Sequence, residues 1–506
     1  MGIPGYFARA IRAKPGSVSR AGPPVARLFL DFNSAVHQGV KPGETADSVI
    51  DAACATLREI VDRVAPSEMF LVAIDGVAPL AKVNQQRSRR FLAHKAKGIA
   101  GSREGFDRNA ITPGTEFMRD LAERIGRVCH EISVERRVRS VFSPSTEPGE
   151  GEHKIMDFVR RNPSSGTDCV YGLDADLILL SMVLRAQTGT CPCIVREAAA
   201  VKGADAGDEA AGYVFLDVDS LIDAVLEDAP AGLAERDKIM NHVVASFLVG
   251  NDFLPALSCL SIKTGCLERL CRRSGEPLCG SAPDYEVDWS ALARLVRSVA
   301  DEEDESFQRA DARYWCTRPP DTTDPLALWE AHPIVNKDDA NRRIRPGASG
   351  WRPRYYDALF RTHEVARVAA NYLQGIQWNL HYYAGKYARP AATPEWLYPH
   401  AYGPTALDVF NHLEANADLG AEVRDALHAL PPYEYSPQAA LLMVTPPSSF
   451  EILSTRLRAM ATDINFGVSH MFPIEFGVHT YLRRWTHECK AKVPPVDLAA
   501  IKKLPL

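Results

Sequence analysis

No stretch of this chain approaches the roughly 20 consecutive apolar residues that a membrane-spanning helix needs, so no spanning segment is expected. The N-terminus, MGIPGYFARAIRAKPG, lacks the continuous apolar segment of a secretory signal, and Tyr6 stands where a myristoylation signal has Ser or Thr. No Cys-x-x-Cys pair occurs, and eleven cysteines, an odd number in 506 residues, do not make a disulfide framework. A zinc site at Cys191-Pro-Cys193, or among Cys266, Cys271 and Cys279, is not expected either. The expected setting is reducing and intracellular, cytoplasmic with the nucleus as the alternative. Hydrophobic residues make up 46% and charged residues 24%, as in a soluble globular chain with room for a large core in two or three packed units.

Acid is absent from residues 1–30, which hold Arg9, Arg12, Lys14, Arg20 and Arg27. Residues 82–108 hold eight Lys or Arg against Glu104 and Asp107. The net charge of −6 therefore does not exclude a nucleic-acid partner, because binding depends on where charges lie. Acids concentrate elsewhere, as in DEEDE at 301–305, which reads as a solvated loop or helix face.

Four apolar runs end in aspartate. RLFLDFN predicts a short buried strand stopping at Asp31, and MFLVAIDG repeats the design with Asp75. Between them, Ile50, Ala53, Cys54, Leu57, Ile60, Val61 and Val64 form a helical stripe. Strand, amphipathic helix and strand imply a parallel sheet. CVYGLDADLILL supplies a third run with Asp174 and Asp176, and ASFLVGNDFLP a fourth, helix or strand, ending at Asp252. Ligand sites of open parallel sheets lie beyond the carboxyl ends of their strands, where these aspartates fall.

One Asp after a strand commonly caps the next helix. Four such runs together with PGEGEHKIM, where Glu150 and Glu152 flank a glycine, demand more. Asp31, Asp75, Glu150, Glu152, Asp174, Asp176 and Asp252 would form a cluster unable to stay ionised without cations. All-oxygen ligation suits Mg²⁺ or Mn²⁺, and two such ions clamp an in-line phosphodiester displacement. The glycines would let backbone and substrate approach closely. The expected chemistry is that of a nuclease.

In KVNQQRSRR, Lys82, Gln86 and Arg90 share a helical face with Arg89 beside them. That face suits a terminal phosphate, although on spacing alone a solvated basic helix is the favoured reading.

These stretches, with MGIPGYF, ITPGTEFM, GIQWNLHYY, EWLYPHAYGP and FPIEFGVHTYLRRW, resemble in order the Xrn family of 5′→3′ exoribonucleases. The resemblance implies Mg²⁺-dependent degradation of single-stranded, 5′-monophosphorylated RNA to mononucleotides, with all seven acids as metal ligands. It implies that Lys82, Gln86, Arg89 and Arg90 form the 5′-monophosphate pocket and that His37 stacks on the first base. A tryptophan covers that base's other face in the family; Trp396 is the choice here, with Trp378 behind it. A short form ending after the family's two conserved regions is expected, of the kind a large DNA virus or compact eukaryote would carry, with protein partners unknown. The stretch between Asp301 and Trp351 is expected to form loops.

The expected fold is α/β: a parallel-sheet nuclease core of the flap-endonuclease/PIN-like type over residues 1–265, followed by a mostly helical region, 266–506, closing over the active site. A flap-type 5′ nuclease acting on DNA is the rival, but PALSCLSIKTGCLERL lacks a clear Gly-x-Gly hairpin for duplex binding. A catalytically inactive RNA-binding scaffold is the other, and it has no reason to keep a self-repelling acid cluster.

Overall fold

Alternation along the short apolar runs sets the layers of this protein. In the computed structural model, which describes residues 5–101, 105–198, 212–387 and 392–506, Leu28 and Leu30 enter one core and Phe29 the other. The chain opens with helix α1 (Tyr6–Ala13) and edge strand β1 (Val18–Ser19). Strand β2 (Arg27–Asp31) follows, then helices α2 (Asn33–Gly39) and α3 (Ala46–Val64), and strand β3 (Met69–Ala73). Helix α3 buries the apolar stripe read from its sequence, Cys54 only partly, and Thr45 caps it by accepting from the Ser48 backbone N–H.

Next come α4 (Leu80–Ala100), α5 (Glu116–Arg136), β4 (Arg139–Ser143), α6 (Gly151–Arg161) and β5 (Asp168–Tyr171). They are followed by α7 (Asp176–Thr188), β6 (Cys193–Glu197), β7 (Tyr213–Leu216), α8 (Val218–Asp228) and α9 (Glu235–Val249). The sheet runs β1-β7-β6-β5-β2-β3-β4. Five consecutive strands, β6 to the edge strand β4, are parallel, and β7 and β1 pair antiparallel at the other edge. The α/β class with a parallel sheet is thus the observed one. ASFLVG belongs to helix α9, in which every residue from Ile239 to Val249 is buried.

Most of the remaining elements are helices. The Val365–Tyr383 helix buries Tyr372, Leu373, Ile376, Trp378, Leu380, Tyr382 and Tyr383 in the same apolar cluster as α7 and α9. Residues 433–504 cover Val83 and Phe91 of α4. The loops expected between Asp301 and Trp351 are largely helical instead, with helices at Glu303–Cys316, Pro325–Glu330 and His332–Val335. Within DEEDE, Asp301, Glu302, Asp304 and Glu305 are exposed as expected, but Glu303, only 1% exposed, accepts two hydrogen bonds from Arg352 (2.8 and 3.2 Å) and one from Ser258. A buried carboxylate with that many donors is a structural tie.

Candidate active site

The carboxyl ends of β2 and β3 lie in register, Asp31 opposite Ala73, so Asp31 and the Asp75 that follows β3 are neighbours. The N-terminus of α6 closes on both. The Gly151 N–H donates to Asp75 Oδ1 at 2.7 Å, and the Asn33 amide donates to Asp75 Oδ2 at 3.0 Å. A Cβ on Gly151 would lie 2.6 Å from Asp31 Oδ1, and Gly149 sits at φ 105, so both glycines are required by geometry. Glu150 and Glu152, on either side of Gly151, are buried against this corner.

The acids repel one another. Burial, then Asp75 and Glu150, push the Asp31 carboxyl up to about 8; burial and Asp252 push Asp176 up to about 6. Burial and Asp176 hold Glu152 well above the ordinary range, and burial and Glu150 raise Asp75. Burial alone would raise Asp252 as well, but Lys82 outweighs it and leaves that carboxyl low. The Lys82 ammonium lies 2.7 Å from Glu150 Oε2 and 2.9 Å from Asp252 Oδ2. Among the described residues, Glu152 Oε2 and Asp176 Oδ1 are buried with no hydrogen-bond partner. Asp174 accepts from the Ala175 N–H at 3.0 Å. Orphaned buried oxygens, raised carboxyl pKa values and clustered carboxylates fit hard divalent cations. Among the described residues, Glu150, Glu152 and His153 offer ligand atoms within 4.8 Å of one another.

Asp31, Asp75, Glu150, Glu152, Asp174 and Asp252 line one groove of about 980 Å³, which His37, Lys82, Gln86 and Arg89 also line. Asp176 is buried behind it, next to Glu152. Beside the groove, Asn33, Asp75, Gln86, Arg90, Thr112 and Pro113 line a recess of about 30 Å³. Arg90 is buried there with Nη1 unpartnered, and burial, then Arg89, lower its guanidinium to about 9. An unpaired buried N–H on a cation marks a place where an anion would be bound strongly. Burial, then Arg89 and Arg90, hold His37 down to about 4, so its ring is neutral.

A family model described as "XRN 5'-3' exonuclease N-terminus" matches residues 1–198, the part that builds most of this groove, and one described as "Xrn1 helical domain" matches residues 326–504. The chain belongs to the Xrn family. It is 32% identical over 347 residues to "5'-3' exoribonuclease 2" of Schizosaccharomyces pombe, across 56% of this chain and 35% of that protein. The protein of the same name in Arabidopsis thaliana is 24% identical over 634 residues, across 93% of this chain and 61% of that one. "5'-3' exoribonuclease 1" of Saccharomyces cerevisiae is 32% identical over 321 residues, across 55% and 21%. The chain thus covers less than two thirds of the length of each of these relatives. Among solved structures, "The catalytic core of Rad2 in complex with DNA substrate (complex III)" overlaps 75% of this chain and 100% of its own at 14% identity. Its TM-score is 0.34, a likeness too slight to bear on fold or chemistry.

In this Xrn-family chain two expected placements are corrected. Trp396, 2% exposed, does not line the groove: it stacks on Trp378 at a centroid distance of 5.3 Å, and the fallback Trp378 is buried as well. Both are core residues, packed where the Val365–Tyr383 helix passes Gly375. Lys82 does not line the Arg90 recess. Two helical turns before Arg90, at the start of α4, it is drawn in by the opposite charges of Glu150 and Asp252.

Tyr382 and Tyr383 were missed. The Tyr382 hydroxyl donates to Glu150 Oε1 at 2.5 Å, and its ring packs against His153, tilted by 32° with centroids 3.8 Å apart. Burial, then Asp176 and Glu152, push the Tyr383 hydroxyl far up, so it remains protonated beside the acids. Their only signal in the sequence is a tyrosine pair at the end of an apolar helical pattern, which reads equally as core.

Proposed function

We propose that this chain is a 5′→3′ exoribonuclease that removes nucleotides one at a time from single-stranded RNA bearing a 5′ monophosphate, using two Mg²⁺ or Mn²⁺ ions. One observation carries the proposal: a buried carboxylate cluster shares a groove with Gln86, which also lines the recess holding the unpaired Arg90 guanidinium. The names of the relatives support the same activity.

Asp31, Asp75, Glu150, Glu152, Asp174, Asp176 and Asp252 would hold the ions, whose chemistry when bound is Lewis-acid stabilisation of the charge developed in phosphodiester displacement. Gln86 and Arg90 would take the terminal phosphate, with Arg89 in the adjoining groove. The recess is far smaller than the groove beside it, which suits a single terminal phosphate rather than a triphosphate or a cap. The first phosphodiester would then fall at the carboxylates, and neutral His37 offers a ring face to the first base. Lys82 holds Glu150 and Asp252 by its two ion pairs, and Tyr382 orients Glu150. Each cut leaves a new 5′ phosphate that the same recess can capture.

The test uses end-labelled RNA carrying a monophosphate, a triphosphate or no free end, with Mg²⁺ or EDTA. Wild-type protein should digest only the monophosphorylated linear RNA, to mononucleotides and only with Mg²⁺. Glu152→Gln should lower turnover at least about a hundredfold while RNA binding persists. Cutting of circular RNA at the same rate would make the protein an endonuclease and refute the proposal.

A further inference from the structure

Arg196 is a charge in a place built for an apolar side chain. On β6 it shares its face with Ile194, which lies in the main core, and it pairs across the antiparallel ladder with Val214. It is 6% exposed, donates no hydrogen bond and joins no ion pair among the described residues, and its buried Nε has no partner. Its guanidinium lies instead over the Phe7 ring of α1, 3.9 Å from the centroid. Burial lowers its pKa, the expected response of a cation lacking compensation. Burying an uncompensated guanidinium is costly, and the ring face alone offsets only part of that cost.

What Arg196 lines is the groove that also holds the carboxylates, in a part shared with Phe7, Ile11, Arg12 and Arg20. Strand order locates that part. Reading across the sheet, β6 carries Arg196, β5 leads to Asp174, β2 ends at Asp31, and β3 leads through Asp75 to α4 with Gln86 and Arg90. Arg196 and the phosphate recess therefore lie on opposite sides of the carboxylates. With neighbouring strands roughly 4.8 Å apart, β6 lies about 10 Å from β2.

We propose that Arg196 binds a backbone phosphate of the RNA on the 3′ side of the scissile bond, so that the strand lies across the sheet with its 5′ end at α4 and its body leaving over β6 and α1. The proposal rests on the function proposed above, which sets the 5′ phosphate at Arg90. A guanidinium with its Cζ over the Phe7 ring at 3.9 Å keeps its N–H groups for other partners, and such a fork engages phosphate oxygens in pairs. Phe7 thus acts as a positioning residue.

Binding of 5′-monophosphorylated RNAs of 2 and 12 nucleotides, followed by fluorescence anisotropy in EDTA, tests this. The dinucleotide reaches only the recess and the carboxylates. Arg196→Gln should lower the ratio of 12-mer to dinucleotide affinity about tenfold or more. It should also make the salt dependence of 12-mer binding shallower by about 0.7 in log–log slope, one phosphate's worth. Arg196→Lys, which keeps the charge and most of the packing, should keep the slope and lose only part of the ratio. An unchanged ratio in both variants, or equal losses for both lengths alongside a lower Tm, would reduce Arg196 to an anchor for α1. Wild-type protein indifferent to the 5′ phosphate of either RNA would instead undo the proposed function, whatever Arg196 does.

Discussion

At the scale of single residues, the carboxyls of this groove bind protons more tightly folded than unfolded. Asp31 goes from 3.8 to about 8 and Asp176 from 3.8 to about 6, through burial and mutual repulsion. A carboxyl raised by folding contributes stability that is whole below about pH 4 and is lost as pH climbs through the folded pKa. Between pH 4 and 8 the protein without divalent ions should therefore lose stability at this site, and a bound cation should restore it. Mg²⁺ should raise Tm clearly at pH 8 and little at pH 5, where protons already neutralise the cluster; equal shifts at both pH values would count against these acids as the ion site. The aspartates were legible because, although one acid after a strand commonly caps a helix, several of them converging with Glu150 and Glu152 repel one another and need cations. Trp396 was not, because an indole in an aromatic segment reads alike as core or as stacking surface. Packed on Trp378 and 2% exposed, it should cost about 3–5 kcal/mol of stability as Trp396→Ala. Lost RNA binding at unchanged Tm would return it to the groove.

Elements were legible where burial is one-sided. Helix α3 shows its stripe because one face meets the sheet, and β2 and β3 show continuous apolar runs because both faces are covered. Helix α9 hid its type, since a helix buried all round has no polar face to mark the 3.6-residue period. The span 301–351 looked like loop because its one long helix, Glu303–Cys316, is rich in charge and its others are short, and their ties, such as Arg352 to Glu303, join residues far apart in sequence. The Val365–Tyr383 helix looked like packing alone, yet its C-terminal end brings Tyr382 onto Glu150. Removing that hydroxyl as Tyr382→Phe leaves a buried carboxylate oxygen unpaired while the ring still packs against His153. Turnover should fall roughly tenfold and the Mg²⁺ midpoint should rise, with Tm nearly unchanged. A normal Mg²⁺ titration and normal turnover would leave Tyr382 with no part in positioning Glu150.

For the whole molecule, a division near residue 265 separates a sheet region from a helical one in sequence, but the contacts between them are those of an interior. One apolar cluster runs without a break from Tyr6 through α7 and α9 to Leu427. Arg87 donates to the Met443 carbonyl at 2.8 Å, Lys95 to the Phe476 carbonyl at 2.7 Å, and Arg160 to the Tyr383 carbonyl at 2.8 Å. Separating the regions would leave buried Arg87 and half-buried Lys95 and Arg160 without these partners and uncover large apolar faces on both sides, so we propose that they unfold together. The placement of tryptophan makes this measurable. All seven tryptophans, Trp289 to Trp485, lie after residue 265, so their fluorescence follows the helical region alone. Far-UV circular dichroism follows both regions. In urea the two signals should share one midpoint. Mg²⁺, held by acids between Asp31 and Asp252, should move the tryptophan midpoint as far as the dichroism midpoint, since stabilising one part of a cooperative unit stabilises all of it. Two separated transitions, or a tryptophan midpoint indifferent to Mg²⁺, would mean that the helical region folds independently and that Tyr382 reaches Glu150 by docking rather than by sharing a core.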